Sequence, residues 1–208
     1  MSRARDIADF NASLFADDEI SGDKVSGGNI GAGTFDGTIG SNATGFTGVK
    51  VLDVWRLSTT LTSTRSPITD NLERVNTTPN ATAGIGLIGS PMTVDSNGIF
   101  TFPMTGIYTI DFSATFNLNN TAQYVGLIIR SVVSGSTNIL VRKYSHITRA
   151  NSTWTYTSMH LNTTFNCSNP STHKVRFDYS ESHSATAQLI GDATTNPTSF
   201  KFMRIGDT

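Results

Sequence analysis

Few side chains in this 208-residue sequence are suited to nucleophilic or metal chemistry, and their spacing favours neither. The histidines show no pair at the i, i+2 or i, i+4 spacing that lets a strand or a helix present two metal ligands together. No Gly-X-Ser-X-Gly turn, phosphate-binding glycine loop or Cys-X-X-Cys pair occurs either. The sequence therefore predicts no metal and no cofactor, and the protein is expected not to be an enzyme. The four histidines are His146, His160, His173 and His183.

The acidic residues leave one minor alternative open. The run Asp17–Glu19 lacks the alternation of a calcium-binding loop. Asp178, Glu181 and Asp192 are separate in sequence and would have to meet through folding, as the paired carboxylates of a carbohydrate lyase or hydrolase do. The single cysteine, Cys167, cannot form a disulfide within the chain and is expected to be a small buried residue.

Composition argues against several classes of partner. Charged residues make up only 15% of the chain and the net charge is −1, so no interaction with nucleic acid or with an anionic membrane is expected. No apolar run approaches the ~18 residues of a membrane span, so no membrane insertion is expected. The N-terminal "MSRARDIADF" contains two arginines but no apolar run follows them, which does not fit a secretory signal. Synthesis in a cytoplasm is therefore expected.

Residues 49–208 have the pattern of an all-β domain. Apolar residues alternate with polar ones in "VKVLDVWRLSTTLT" and in "GIYTIDFSATFNL", and separators such as "DSNG" and "SGST" consist of turn residues. Roughly eight to ten short strands without a helical stretch predict an antiparallel all-β sandwich or a jelly roll. The stretch "GIGLIGS" at 84–90 is expected to be a loop or a strand that passes close to another backbone.

Residues 1–19 form the first of two segments that precede this domain. Three apolar side chains follow the i, i+3, i+7 spacing of one helical stripe, among charges that include two arginines. A helix this short is marginal alone. The segment is therefore expected to be a peptide that folds on a partner, with a frayed tail as the alternative. The candidate docking residues are Arg3, Arg5, Ile7, Phe10 and Leu14.

Residues 20–48 are rich in glycine, yet apolar residues recur about every five positions. Three chains side by side could bury one such residue per repeat on a common axis, while glycine permits close approach of the backbones. The spacing predicts an extended trimeric stalk. A flexible linker is the alternative, because segments rich in Gly and Ser are normally coil. The candidate seam residues are Ile20, Val25, Ile30, Phe35 and Ile39.

The stretch "GIFTFPMTGIYTIDFSATFNL" at 98–118 resembles the central motif of complement first-component-q and tumour-necrosis-factor-like domains. Those domains carry a Gly-X-Phe-X-X-Pro-X-X-Gly-X-Tyr pattern that leads into a long alternating strand. The resemblance implies a jelly-roll head over roughly 49–206 that packs as a homotrimer and binds targets through its loops. A collagen stalk is excluded, because residues 20–48 lack Gly at every third position and contain no Pro. The matching head-motif residues are Gly98, Phe100, Pro103, Gly106 and Tyr108.

A second resemblance concerns the N-terminus. The stretch "MSRARDIADF" is similar to the start of virion proteins of marine bacteriophages, including phages of cyanobacteria. Residues 20–40 resemble the short "I-x-G-x-x-I-x-x-G" stretches of phage tail-fibre and appendage proteins. The resemblance implies a structural protein located in the virion and anchored through residues 1–19 to a portal, tail or capsid protein.

The expected action of such a head is to bind a polysaccharide or a protein on the host surface. Trp154 and Tyr156 are candidate ligand contacts, because aromatic rings stack on sugars; Trp154 fits a core position equally well. One alternative is a capsid decoration or head-fibre protein without a receptor-binding role. A second alternative is a secreted cytokine-like adhesion module.

Overall fold

The computed structural model describes residues 48–75, 86–118, 122–147, 155–181 and 187–208, which form thirteen strands. Every strand pairing is antiparallel. In chain order the strands are β1 (Val51–Leu57), β2 (Thr59–Leu61), β3 (Leu72–Arg74), β4 (Leu87–Gly89), β5 (Thr93–Val94), β6 (Ile99–Thr101), β7 (Gly106–Leu118), β8 (Ala122–Val133), β9 (Ser136–Ile147), β10 (Thr155–Cys167), β11 (His173–Glu181), β12 (Gln188–Asp192) and β13 (Ser199–Gly206).

The strands form two sheets. Sheet A has the order β2-β12-β7-β13-β1-β3, with β10 paired to β7 and β4 paired to β1. Sheet B has the order β5-β6-β11-β8-β9. The long strand β7 pairs along its whole length with β10, while its other edge pairs with β13 and then with β12. Strand β13 therefore lies in the interior of sheet A, between β7 and β1.

The core lies between the sheets and is rich in aromatic rings. The predicted alternation of β7 faces this core, because its alternate residues from Tyr108 to Phe116 are fully buried. Phe100 of β6 contacts the rings of Phe177 from sheet B and Phe202 from sheet A, at centroid distances of 5.4 and 5.1 Å. The predicted all-β antiparallel sandwich is thus confirmed. None of the described residues form a helix that could cross a membrane.

Short strands are the elements that the sequence pattern did not specify. The stretch "GIGLIGS" contains β4, which pairs with β1, and at Gly89 the backbone has a φ of 71°. A side chain there would overlap the carbonyl oxygen of Lys50, so this strand does pass close to another backbone. Strand β12 joins β7 to β2 through a few irregular pairs and buries Leu189 completely. Such short strands are specified by distant pairing partners, which a local pattern does not show.

The predicted turn between β5 and β6 is built by one carboxylate and one glycine. The Asp95 side chain accepts hydrogen bonds from the backbone N–H groups of Asn97 and Ile99, both at 2.9 Å. Gly98 has a φ of 69°, and a Cβ there would overlap the carbonyl oxygen of Ile68. Only glycine fits this position, which gives a physical reason for the first residue of the head motif.

The single thiol is expected to be unreactive in the folded protein. Cys167 is fully buried, and burial raises its pKa to about 11. Its Sγ lies 3.8 Å from the carbonyl oxygen of His173. Because the thiolate is the reactive form, we expect no labelling by a thiol-specific disulfide reagent at pH 8, and complete labelling in denaturant. Rapid labelling of the native protein at that pH would contradict this placement.

A carboxyl group at the end of β11 is expected to make stability depend on pH. Burial raises the pKa of Glu181 above its usual 4.5, although the Ala187 N–H donates to its Oε2 at 2.7 Å and partly opposes the shift. The Tyr179 hydroxyl donates to the carbonyl oxygen of Ala187 at 2.6 Å and lies 3.2 Å from the same Oε2. One hydroxyl hydrogen cannot serve both oxygens, so the protonated form of Glu181 completes the cluster better.

Because the folded-state pKa of Glu181 is raised, its favourable contribution is complete below pH 4.5 and is lost as the pH rises through the folded value. The Glu181→Gln variant keeps a neutral group at all pH values. We therefore expect the free energy of unfolding of this variant, relative to the natural chain, to increase between pH 4.5 and pH 7. Denaturant unfolding at a series of pH values measures this difference. A difference that stays constant with pH would show that Glu181 titrates normally.

Candidate binding faces of the sandwich

An acidic residue in the apolar alternation of β1 turns out to be structural. Asp53 is fully buried between the sheets, and Arg74 binds its carboxylate through two nitrogen atoms, at 2.8 and 3.1 Å. The Met92 N–H donates to the same carboxylate at 2.7 Å, and Arg74 lies 4.5 Å from the ring centroid of Trp55. This ion pair joins β1, β3 and the chain before β5. It has no open side for a substrate, because the carboxylate oxygens are occupied by protein donors.

The outer face of sheet A carries a polar network centred on Asp111 of β7. Lys201 of β13 contacts one carboxylate oxygen at 2.8 Å. On the other side, Asn162 and His160 of β10 contact the second oxygen at 2.7 and 3.1 Å. Burial works to raise the pKa of Asp111, but hydrogen bonds from Lys201 and Asn162 outweigh it, so the pKa lies below its usual value. The carboxylate is thus held charged by cross-strand partners on both sides.

The outer face of sheet B is positively charged. Strands β8, β9 and β11 place on it four cationic side chains and one carboxylate, a net charge of +3, whereas the whole chain has a net charge of −1. We call this surface the basic face. Its charged residues are Arg130, Arg142, Lys174, Arg176 and Asp178.

Asp178 lies at the centre of the basic face and is 1% exposed. Its Oδ2 accepts hydrogen bonds from Arg130 at 2.5 Å and from the Ser66 hydroxyl at 3.0 Å. Arg176 Nε lies 3.3 Å from Oδ1, but the two atoms are not aligned for a hydrogen bond. Two arginines therefore share one carboxylate, and part of their hydrogen-bonding capacity is unused.

An aromatic pair lies on the same face, next to Arg142. The ring of Tyr144 covers Gly126 of β8, where even a Cβ atom would overlap the ring. Tyr144 meets Tyr124 edge to face at a centroid distance of 5.0 Å, and the Arg142 guanidinium lies 5.7 Å from the Tyr144 ring. Tyr144 remains 49% exposed. A glycine beneath an exposed ring thus gives the face a flat, accessible aromatic surface.

A small pocket lies at the other end of the basic face. It has a volume of about 220 Å³, and its wall includes the Lys174 side chain, hydroxyl groups and two apolar side chains. Ser134 and Gly135 on its rim both have positive φ values, 49° and 83°, and form the tight turn between β8 and β9. The lining residues are Ile99, Val132, Ser134, Gly135, Ser171, Thr172 and Lys174.

The residues that the sequence singled out are distributed over the fold. Phe100 and Tyr108 are fully buried, and the Tyr108 hydroxyl donates to the carbonyl oxygen of Met104 at 2.9 Å. Pro103 lies in the connection between β6 and β7, and Gly106 is the first residue of β7. Burial raises the pKa of Tyr108 to about 12. Phe100 and Tyr108 are therefore core residues and not ligand contacts.

Other candidate residues lie on the surface or outside the described ranges. Tyr156 is 63% exposed and is the second residue of β10, on the outer face of sheet A, whereas Trp154 lies outside the described residues. The docking and stalk candidates also lie outside them, so both segments stay predictions. These are Arg3, Arg5, Ile7, Phe10 and Leu14, and Ile20, Val25, Ile30, Phe35 and Ile39.

The three carboxylates considered for glycoside chemistry are separated. Asp178 faces outward on β11, and Glu181, an odd number of residues later, faces the opposite side. Asp192 ends β12 in sheet A and accepts hydrogen bonds from the Thr194 and Thr195 N–H groups. Within the described ranges no three His, Cys, Asp or Glu side chains are grouped to hold a metal ion.

Comparison with known proteins assigns the fold. No protein-family model and no curated protein sequence matches the chain. The solved structure of Eiger TNF from S. frugiperda matches with a TM-score of 0.54 and 8% identity, over 77% of this chain and 95% of that one. Murine APRIL matches with a TM-score of 0.50 and 13% identity, over 74% of this chain and 98% of that one. At such low identity the likeness shows the fold alone, so the described domain has the jelly-roll fold of tumour-necrosis-factor-like domains.

Proposed function

We propose that this chain is a structural protein of a bacteriophage particle, a homotrimeric fibre or appendage whose head attaches to the host surface. The observation that carries the binding role is the outer surface of the jelly roll, where exposed tyrosines lie on the sheet faces together with cations that make no ion pair among the described residues. The resemblance of "MSRARDIADF", residues 1–10, to the start of phage virion proteins supports the anchoring role. The protein is then made in the host cytoplasm and ends in the virion.

The proposed action is binding without catalysis. Three heads on one stalk would contact a repetitive surface at once, so individually weak contacts combine into strong attachment. The five-residue apolar spacing of residues 20–39 supports the homotrimer, because it supplies one buried residue per repeat to a three-chain axis. The docking partner is a portal, tail or capsid protein that receives residues 1–19.

A second candidate function is a secreted cytokine-like adhesion module. The observation that favours it is the fold shared with Eiger TNF and murine APRIL. A capsid decoration or head-fibre protein without a receptor is the third candidate. An adsorption assay separates the three: the purified chain should bind bacterial host cells and reduce phage adsorption. Incorporation into particles without cell binding would indicate decoration, and absence from particles would favour the secreted module.

Removing residues 1–19 should separate anchoring from assembly. We expect the truncated chain to remain a trimer, measured by light scattering, but to be absent from purified particles. The full chain expressed in the same way serves as the control. Normal incorporation of the truncated chain would show that the anchor lies elsewhere, and a monomeric full chain would overturn the homotrimer.

A further inference from the structure

We infer that the basic face of sheet B binds an acidic polysaccharide whose sugars carry carboxylate groups. The inference rests on the proposed function, because it names the class of surface molecule that the head holds. Three independent features of the face support it: its charge, its unused hydrogen-bonding groups and its shape.

The charge of the face favours an anionic ligand. Arg142 and Lys174 make no ion pair with any residue in the described ranges, and Arg130 and Arg176 share one carboxylate. Positive charge is thus concentrated on one face of a chain whose net charge is −1. The planar guanidinium group binds carboxylates through two parallel hydrogen bonds, which makes Arg142 a specific carboxylate contact.

The hydrogen-bonding groups of β11 favour a ligand rich in hydroxyls. Three successive outward-facing residues have a buried polar atom without a hydrogen-bond partner among the described residues: Arg176 Nε, Asp178 Oδ1 and Ser180 Oγ. They comprise a donor, an acceptor and a hydroxyl that can act as either. Arg176 Nε and Asp178 Oδ1 lie 3.3 Å apart as an ion pair, and Ser180 Oγ lies beside Gly126 near the Tyr144 ring. Sugar hydroxyls both donate and accept, so they can pair with all three atoms once the side chains that cover them turn toward the ligand.

The pocket at Lys174 fits one unit of such a polymer. Its volume of about 220 Å³ is below the ~300–1,000 Å³ of sites for drug-sized molecules, so it admits a small group. The ammonium group of Lys174 can pair with a carboxylate, and Val132 offers an apolar wall. The hydroxyls of Ser171 and Thr172 already contact Asn169 Oδ1 and His173 Nδ1, and each oxygen can form a further hydrogen bond. A sugar ring with an acidic substituent has all three kinds of surface.

The length of the face favours a polymer over a single sugar. Gly126, beneath the Tyr144 ring, and Val132, in the pocket wall, are six residues apart on β8, which corresponds to about 20 Å. Sugar rings stack on exposed tyrosine as they do on other aromatic side chains. The polymer would therefore run along the strands, from Tyr144 past Arg142 to the Lys174 pocket.

The test measures binding of the full-length purified chain to immobilised alginate, a polyuronate, at 0.15 M salt. We expect saturable binding to alginate and none to neutral dextran. Arg142→Gln and Lys174→Gln should each weaken binding about tenfold, because each removes a charge-assisted contact. Tyr144→Leu should also weaken it while leaving the charge unchanged. Circular dichroism would confirm that each variant is folded.

Lys143→Gln is the matched control. Lys143 is adjacent to Arg142, but it pairs with Leu127 on the opposite side of the sheet and donates to the carbonyl oxygen of His160 at 3.1 Å. The Lys143→Gln substitution changes the net charge by the same amount as Arg142→Gln and should leave alginate binding unchanged. If Lys143→Gln weakened alginate binding as much as Arg142→Gln, binding would depend on net charge alone, and the proposed site on the basic face would be wrong.

Two further ligands test the identity of the polymer. Tighter binding to dextran sulfate or to a single-stranded oligonucleotide than to alginate would overturn the carboxylate assignment, as would no binding to alginate. Two further outcomes distinguish a failure of this binding site from a failure of the proposed function. If the chain with both glutamine substitutions still binds host cells, the basic face is not the binding site, but the proposed attachment role remains. If the chain binds alginate specifically but is absent from phage particles, the basic face is a binding site and the proposed virion role is wrong.

Discussion

Replacing Arg74 by alanine is expected to lower the free energy of unfolding by about 3–5 kcal/mol, because it leaves a buried charge without its ion-pair partner. The Asp53 carboxylate is fully buried and, among the described residues, would keep only the Met92 N–H as a partner. The variant also loses the contact between the guanidinium and the Trp55 ring. Denaturant unfolding at equal protein concentration measures the change, since oligomer formation makes apparent stability depend on concentration.

Two comparisons make this expectation specific. Arg65→Ala removes the same side chain from an exposed pair with Asp70 and should cost about 1 kcal/mol or less. The double variant Asp53→Leu/Arg74→Met removes both charges and should be more stable than Arg74→Ala, because no charge remains buried without a partner. If Arg74→Ala were as mild as Arg65→Ala, water would have to reach Asp53 and the buried pair would have no structural role.

Replacing Phe100 by alanine should destabilise the head by a similar amount, about 3–5 kcal/mol. Phe100 is fully buried, and its ring lies among rings from both sheets. Removing it leaves a cavity where sheet A and sheet B meet, and the edge-to-face contacts with Trp55 and Phe177, at centroid distances of 5.4 Å, are lost. A lower denaturation midpoint with an unchanged slope would report lost stability without a change in the unfolded state.

Phe100→Leu and Tyr156→Ala provide the matching controls. Leucine refills most of the space and should cost less than half as much as alanine. Tyr156 is 63% exposed, so its removal should change the free energy of unfolding by less than about 0.5 kcal/mol. Equal effects of alanine at positions 100 and 156 would mean that the aromatic cluster does not hold the two sheets together.

The sequence predicted the parts of the fold that follow from local patterns. Strand β7 alternates between apolar and polar residues over its length, so its core face could be read directly from residues such as Phe112. The turn at Asp95 was visible for a similar reason, because Asp and Gly have local conformational preferences. Strands β3 and β12 were missed, since each is short and is stabilised by pairing with residues far away in the chain.

The Asp53–Arg74 pair and the basic face also show which features a local sequence pattern can predict and which it cannot. Asp53 interrupts the apolar alternation of β1, but its partner Arg74 is not recognisable from the local sequence, because only the pairing of β1 with β3 brings the two together. The basic face was missed for a different reason. Whole-chain charge is −1, which conceals a local excess of cations. The alternation of Lys174, Arg176 and Asp178 in "HKVRFDYSES" was the available signal, since period two places all three on one side of β11.

The interior position of β13 has a consequence for how the domain is made. Strand β13 follows all the other strands in the chain, yet sheet A is divided into two parts until Ser199–Gly206 lies between β7 and β1. The partners of β13 are synthesised long before it. During translation the core formed by the earlier strands therefore stays incomplete. The sandwich can be completed only after β13 has emerged from the ribosome. Folding of this domain is accordingly expected to be slow, and until β13 is in place its partner strands need protection from aggregation.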